Sequence, residues 1–392
     1  MSLSCRPFTL RRRHQHRRGA IAVLAAFLLV AMVACVAFAV DIGYLLKART
    51  DLQRTADASA LAGVCQLIDR DALQGDASLN KAINRCRNIA CTYSSQNPVC
   101  SAAPTLDANN GNQVGGDIVV GYLSDLANSN AAMSYGQQSE FNAVTVRVRR
   151  SSQRNGMVPL FFARIFGLEG VDVDASATAA VLRDVGGFRT PQDGSNLPIL
   201  PIALDERMWE TLLSGNADDD WAWDSNAEVV RSGKDGIREL CIYPEQNGAS
   251  GNYGTLNIGT SNNSTTFISR QIRQGISSSD LGFHGGDLDL GSRGALTLSG
   301  NPGLSAGMKD DLTAIIGQPR VVPIFRSVTG NGGNAQYEIV KFVGMRIMEV
   351  ELTGGEKRVV MQPSVIMTKG AIQSQTGSGS SSFIYAAARL VR

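Results

Sequence analysis

The chain has 392 residues, 43% hydrophobic and 18% charged, room for two or three cores at about 150 residues per domain and too apolar for wholesale disorder. Its 41 glycines and 12 prolines fall well short of a collagen-like or low-complexity composition. The net charge of +2 conceals an asymmetry: Arg6, Arg11, Arg12, Arg13, Arg17 and Arg18 open the chain without an acid, which leaves the remainder mildly acidic. A basic tip on an acidic body argues against a nucleic-acid-binding domain and for a local electrostatic task at the N-terminus. Two of the three histidines, His14 and His16, lie in that tip, so histidine-rich metal or acid–base chemistry is not expected.

From Gly19 to Val40 the chain runs without a charge, a proline or a strongly polar side chain. As a helix at 1.5 Å per residue this segment reaches roughly 33 Å, enough for a hydrocarbon core of about 30 Å. With arginines before it and Asp41 after it, the positive-inside rule keeps residues 1–18 in the cytoplasm and carries everything beyond Val40 across the membrane. Next to the apolar run, the arginines are better explained by attraction to anionic inner-leaflet lipid than by nucleic acid. Three processing routes stand beside a plain anchor. A secretory signal would be cut after Ala39 in Ala37-Phe38-Ala39, although its apolar run is long for one. A lipoprotein would use Cys35, against a poor preceding triplet. A prepilin-type peptidase would cut between Gly19 and Ala20. Pilin-like chains usually carry Glu at the fifth position after that cut, and here Leu24 stands there. Filament packing through that ion pair is therefore not expected.

The helix is expected to continue as an amphipathic stalk over residues 41–68. Ile42, Leu45, Leu52, Ala56, Ala60, Gly63 and Leu67 recur mostly at helical spacing. Lys47 with Asp51 and Thr50 with Arg54 make a polar counter-face at a spacing of four. The small residues allow close approach of another element, either the chain's own domain or a neighbouring subunit. The ordered set Arg17-Arg18-Gly19-Ala20, the apolar span, Asp41-Ile42-Gly43-Tyr44 and Leu52-Gln53-Arg54-Thr55-Ala56-Asp57-Ala58-Ser59-Ala60-Leu61-Ala62-Gly63 resembles the N-terminus of TadE/TadG-like proteins of the tight-adherence (Flp) pilus-assembly system. The resemblance implies an envelope-anchored, pseudopilin-like or accessory component and does not imply an enzyme. Larger relatives carry a von Willebrand A domain, but its D-x-S-x-S metal motif is not found here.

Residues 69–139 are rich in Asn, Ser, Gly and Gln and read as a loop-rich insertion. Cys65, Cys86, Cys91 and Cys100 fall around it, and in an oxidising compartment they are best explained as two disulfides of unknown connectivity. Ala143–Arg149 and Val171–Val181 alternate like half-buried strands. Pro159–Gly167 between them reads as a short helix ended by glycine, with Phe161, Phe162 and Phe166 assigned to the core. This strand–helix–strand block also resembles the TadE/TadG-like pattern, in which a paired sheet packs on the long helix. Gly186-Gly187 and residues 191–196 read as a linker. Beyond it, helices are expected near Asp205–Leu213, Asn263–Ile276 and Ser305–Ile316, and strands at Arg320–Ser327, Tyr337–Leu352 and Lys357–Thr368. Gln373–Ser382 reads as flexible, and Phe383–Leu390 as a final short element. Gly251–Asn257 resembles the C-terminal domain of TadG-like proteins more loosely.

Two chemical motifs fare poorly. Gly303-Leu304-Ser305-Ala306-Gly307 satisfies the nucleophile-elbow formula, but a turn precedes it and His284 lies upstream. Asp218, Asp220, Asp224 and Glu228 have calcium-like spacing, yet Trp221 replaces the glycine that such a loop requires.

The expected architecture is α+β: a basic tip (1–18), a transmembrane helix (19–40), a helical stalk (41–68), a pilin-like module with a Cys-rich insertion (69–185), a linker (186–196) and a C-terminal α+β domain (197–392), the last two modules exported. The expected function is that of a single-pass inner-membrane structural or accessory component of a Flp pilus or related secretion apparatus, with a calcium-dependent envelope adhesin or ligand-binding module as the alternative. Expected partners are the membrane, other assembly or envelope proteins and a second copy through the N-terminal helix. Nucleic acid, a small-molecule substrate, a cofactor and a catalytic residue are not expected.

Overall fold

A computed structural model describes residues 18–68, 76–215, 217–243, 253–259, 264–330, 332–353, 357–376 and 379–392. The arginines before Arg18, the start of the Cys-rich segment and part of Gly251–Asn257 lie outside the described residues. One unbroken helix, α1 (Arg18–Val64), contains both the apolar run and the expected stalk. Its 47 residues include no proline to break the ladder, and they span about 70 Å at 1.5 Å per residue.

A second helix, α2 (Asp76–Gln96), occupies much of the segment read as loop. It runs antiparallel to the outer half of α1: Cys86 lies against Gly63, while Thr55 Oγ1 donates to the carbonyl of Asn97 at 2.9 Å. The helix escaped the composition reading because its buried stripe is made of small or single residues, Ala82, Ile83, Cys86 and Ala90, on a polar background.

Strands β1 (Ile118–Gly121) and β2 (Ala143–Arg150) follow. A short hairpin of β3 (Val158–Pro159) and β4 (Gly170–Val171) then leads into β5 (Val173–Ala180). β2 and β5 pair antiparallel along their full lengths, and Thr145 and Thr178 share a cross-strand hydrogen bond of 2.8 Å. Val144, Val146 and Val148 alternate onto the buried face, as the pattern required, and meet α1 and α2 in one core.

Residues 186–189, the start of the expected linker, belong to a strand, β6 (Val185–Arg189). Gly186 and Gly187 are there for close approach rather than flexibility. A Cβ on Gly187 would stand 2.5 Å from the Leu288 carbonyl oxygen, and one on Gly186 would stand 2.7 Å from the Ser374 backbone.

The C-terminal unit continues with β7 (Ile202–Asp205), α3 (Glu206–Leu213), β8 (Trp221–Asp224), β9 (Val229–Ser232), β10 (Leu240–Tyr243), β11 (Tyr253–Leu256), α4 (Thr265–Gln274) and α5 (Ser278–Gly282). After these come β12 (Asp287–Asp289), β13 (Leu296–Pro302), α6 (Lys309–Thr313), β14 (Pro319–Thr329), β15 (Ala335–Glu351), β16 (Arg358–Pro363) and β17 (Ile366–Thr368). The expected helices thus stand in place, although the one read at 305–316 is a 3₁₀ turn followed by the short α6. The segment read as flexible, Gln373–Ser382, starts at the last residue of β18 (Ala371–Gln373) and ends in β19 (Ser381–Ser382).

The long β15 organises this unit. One of its edges pairs with β14, and the other meets β13, β19 and β16 in turn. Because β7 joins β14 to β11, and β11 joins β13, the pairings close a five-stranded ring. Helices α3, α4 and α6 cover a core holding Trp209, Ile272, Leu312 and Val343; a second core holds Phe188, Leu197, Phe325 and Tyr337.

The chain finally leaves this unit. After β20 (Ile384–Ala386), β21 (Arg389–Leu390) pairs with β5 as the fourth strand of the first sheet. The two units are therefore joined by the chain end as well as at residue 185. The whole is one long apolar helix with a mixed α and β body.

Candidate membrane-anchoring and assembly site

Helix α1 divides into two halves of opposite character. From Ile21 to Val40 none of the described residues packs over it: Ile21 is 71% exposed and Phe27 70%. Such an apolar surface is incompatible with water at this size and fits a lipid environment. It is the one helix among the described residues long and apolar enough to cross a membrane. Gly19 and Ala20 lie in its first turn and Cys35 in its exposed part.

Beyond Asp41 the helix enters its own body. Ala48, Leu52, Ala56, Ala60 and Val64, four apart, are fully buried against the β2–β5 sheet and α2. The predicted stripe is thus largely internal: Leu52, Ala56, Ala60 and Leu67 are buried, Leu45 is half-buried, and Ile42 stays exposed. Gly63 explains the closeness of the crossing, since a Cβ there would lie 3.1 Å from the Cys86 carbonyl oxygen and 3.3 Å from the Ala90 Cβ. The expected pair of Lys47 and Asp51 forms at 2.6 Å, and Asp51 also accepts the Cys100 N–H. Thr50 instead turns back to the Leu46 carbonyl.

Asp41 marks the boundary between the halves. It is 5% exposed, and its carboxylate accepts the N–H groups of Phe161 at 2.8 Å, Phe162 at 3.1 Å and Ala163 at 2.8 Å. The Phe161 ring meets Tyr44 edge-on at 5.0 Å, one turn further along the helix. In the sequence Asp41 reads as the end of the apolar run and as part of the Asp41-Ile42-Gly43-Tyr44 motif, and neither reading gives its carboxylate a partner. Its position beside that run with no nearby cation was the signal that it serves backbone donors.

The phenylalanines disagree with their core assignment. Residues 163–166 form a 3₁₀ turn at the tip of the β3–β4 hairpin, ended by Gly167 at φ 81°. One short turn cannot cover both its faces, so Phe161, Phe162 and Phe166 are exposed.

Cys65, Cys86, Cys91 and Cys100 are free thiols in this structure. Cys65 is exposed just past the end of α1 and neighbours the buried Cys86, whose thiol burial pushes up to about 12. Cys91 contacts the Leu106 carbonyl at 3.7 Å, and Cys100 lies near Tyr44.

The four acidic residues with calcium-like spacing are not gathered. Asp218 and Asp220 precede β8, Asp224 ends it, and Glu228 occupies the β8–β9 turn at φ 54°. Asp224 accepts the N–H groups of Asn226 and Ala227 and pairs with Arg231. Among the described residues no three His, Cys, Asp or Glu side chains converge as metal ligands. The loop is held by other acids: Asp219 accepts from Asp235 and Gly236, and Glu239 accepts from Asp220 and Trp221. Gln362, fully buried on β16, donates to both Asp235 and Glu239. Spacing could not reveal this network, because Gln362 comes from a distant strand. Ser305, the serine of the elbow formula, accepts from the Gly307 N–H as a helix cap.

A helix bare over its first half and clamped over its second to a small antiparallel sheet makes this one long apolar helix carrying a mixed α and β body. Residues 19–66 match the family described as Flp pilus-assembly TadE/G-like, and residues 48–179 match the family described as Tad-like Flp pilus-assembly. Over residues 19–179 the chain is therefore similar to these families, as its N-terminal motif implied, and both descriptions name Flp pilus assembly. No curated protein and no solved structure matches the chain.

Proposed function

We propose that this protein is a TadG-like accessory component, or a minor pseudopilin, of a Flp pilus or related secretion apparatus. It is held in the inner membrane by residues 19–40, with residues 1–18 cytoplasmic and the body on the opposite side. The observation that carries this reading is the change in α1 at Asp41, from a helix left bare by the described residues to one whose apolar face is buried in its own module. From Ala48 onward the apolar face of the helix is taken up by its own body and the outer face carries Arg49, Thr50, Gln53 and Arg54, which leaves little apolar seam for a filament neighbour. Lateral association, with a second copy or another assembly protein, then belongs to the apolar half, where packing in lipid does not rely on the hydrophobic effect. Leu24 in place of an acid supports an accessory role over filament growth through an ion pair.

An oxidising space on the far side fits disulfides among Cys65, Cys86, Cys91 and Cys100, with Cys65 and Cys86 as the neighbouring pair. Deletion of the gene should abolish or reduce pilus display and adhesion, and complementation should restore it; normal piliation would overturn the reading. Sequencing the mature N-terminus of membrane-extracted protein distinguishes an anchor beginning at Met1, a pseudopilin beginning at Ala20 and a secreted product beginning at Val40.

A further inference from the structure

We infer that the tip of the β3–β4 hairpin, residues 160–168, is a second membrane contact, lying in the interfacial layer of the bilayer that holds α1. This rests on residues 19–40 being a membrane span. Phe161, Phe162, Ile165, Phe166 and Leu168 are 54%, 41%, 82%, 74% and 58% exposed. Apolar residues scattered singly on a surface need no explanation, but five large ones within a single turn and its flanks do.

Lipid is the occupant for three reasons. The first is position. Asp41 is the residue directly after the bare apolar run, and it holds the N–H groups of Phe161, Phe162 and Ala163. The patch is thereby tied to α1 where its bare surface ends, and the Phe161 ring packs on Tyr44 one turn beyond that point.

The second is the backbone. A loop can leave water only when its polar main-chain groups have partners. Beyond the three donors on Asp41, Leu160 N–H bonds the Glu169 carbonyl, Ile165 bonds Phe162, Gly167 bonds Arg164 and Leu168 bonds Ala163. The tip satisfies these donors within itself and through α1, which meets the condition for its backbone to leave water.

The third is composition. Arg164 stands exposed among the apolar side chains, the arrangement in which a cation reaches lipid phosphate while aromatic neighbours settle beneath it. Anchored at two points, the body would keep a fixed height and rotation above the membrane instead of swivelling about a single helix.

The test uses the full chain reconstituted into phosphatidylcholine vesicles with and without bromine on the acyl chains. Phe166→Trp reports on the tip and Phe27→Trp on the span, each read against the parent protein, whose tryptophans all lie in the C-terminal unit. Both variants are expected to lose emission in brominated lipid beyond the parent's loss, with the tip signal shifted to shorter wavelength. Quenching at position 27 without quenching at 166 would overturn the inference and leave the span standing. A blue-shifted but unquenched Phe166→Trp signal would also overturn it, by assigning the patch to a protein neighbour. Absence of quenching at both positions would overturn the inference together with the membrane reading on which it rests.

Discussion

Asp41 and Ala163 meet across 122 residues of chain, the Asp41 carboxylate accepting the Ala163 N–H at 2.8 Å. Since Phe161 and Phe162 donate to the same carboxylate, one side chain on the anchor helix fixes the entire hairpin tip. Asp41→Ala would strand three donors at a nearly water-free position. The protein is then expected to unfold at a clearly lower temperature, because three charge-assisted hydrogen bonds are lost. Asp41→Asn, which keeps an acceptor without its charge, should lower it by about half as much. Thermal unfolding of the full chain in detergent measures both, and a silent Asp41→Ala would show that the contact does not order the tip.

Gly63 tests the closeness of the two helices. A Cβ there meets the Cys86 carbonyl oxygen at 3.1 Å and Cys86 Sγ at 3.4 Å. Backbone cannot yield as a side chain can, so the crossing must open. Gly63→Val is expected to destabilise the protein by about 1–3 kcal/mol, the usual effect of overpacking. Gly63→Ala should be milder, because a gain in helix propensity of about 1 kcal/mol offsets part of the strain. Chemical denaturation followed by circular dichroism compares the two; equal stability for Val would mean that the helices are more loosely packed.

The chain end is expected to matter more than its length suggests. Arg389 and Leu390 pair with Ala180 and Ala179, and Thr178 N–H donates to the Arg392 carbonyl. Removing residues 389–392 exposes the edge of β5, whose unpaired donors and acceptors invite pairing with another chain. The truncated protein should melt at a lower temperature and aggregate at concentrations where the parent is stable. Light scattering during a thermal ramp reads both effects, and an unchanged profile would show that β21 contributes no stability.

Glu239 makes stability depend on pH. Burial, with repulsion from Asp219 and Asp235 adding to it and the N–H groups of Asp220 and Trp221 opposing it, pushes this carboxyl up to about 7. The folded protein then holds a proton that the unfolded chain releases near its ordinary value of 4.5. Its stabilising effect is therefore fully present below about pH 4.5 and lost as the pH rises through about 7. Glu239→Gln stays neutral throughout and should unfold with a flatter pH dependence, the gap from the parent changing by on the order of 2 kcal/mol between the two limits. Urea unfolding of both proteins at pH 4.5 and pH 8 supplies the comparison. Parallel curves would remove Glu239 as the source.

Much of the path of the chain was legible in its residues. Val144, Val146 and Val148 alternate in sequence and line one buried face of β2; the helices expected near 205–213 and 263–276 form as Glu206–Leu213 and Thr265–Gln274. Helix α2 was not legible, because Ala82, Cys86 and Ala90 carry too little hydrophobicity to show a stripe and become a core only when Gly63 lets α1 approach. Gly186 and Gly187 were misread for a related cause: glycine marks flexibility or a missing Cβ equally well, and only the strand lying against it tells which.

What the sequence determined alone is the apolar half of α1, since twenty-odd uncharged residues must leave water whatever surrounds them, and the ordered Tad motif that follows. The tertiary structure decided who owns the second half of that helix, what Asp41 holds, and that Phe161 and Phe166 face outward. Hydrophobicity is a property of each side chain and can be read in order along the chain. Partnership depends on which distant segment arrives beside it, and that is settled only when the whole chain has folded.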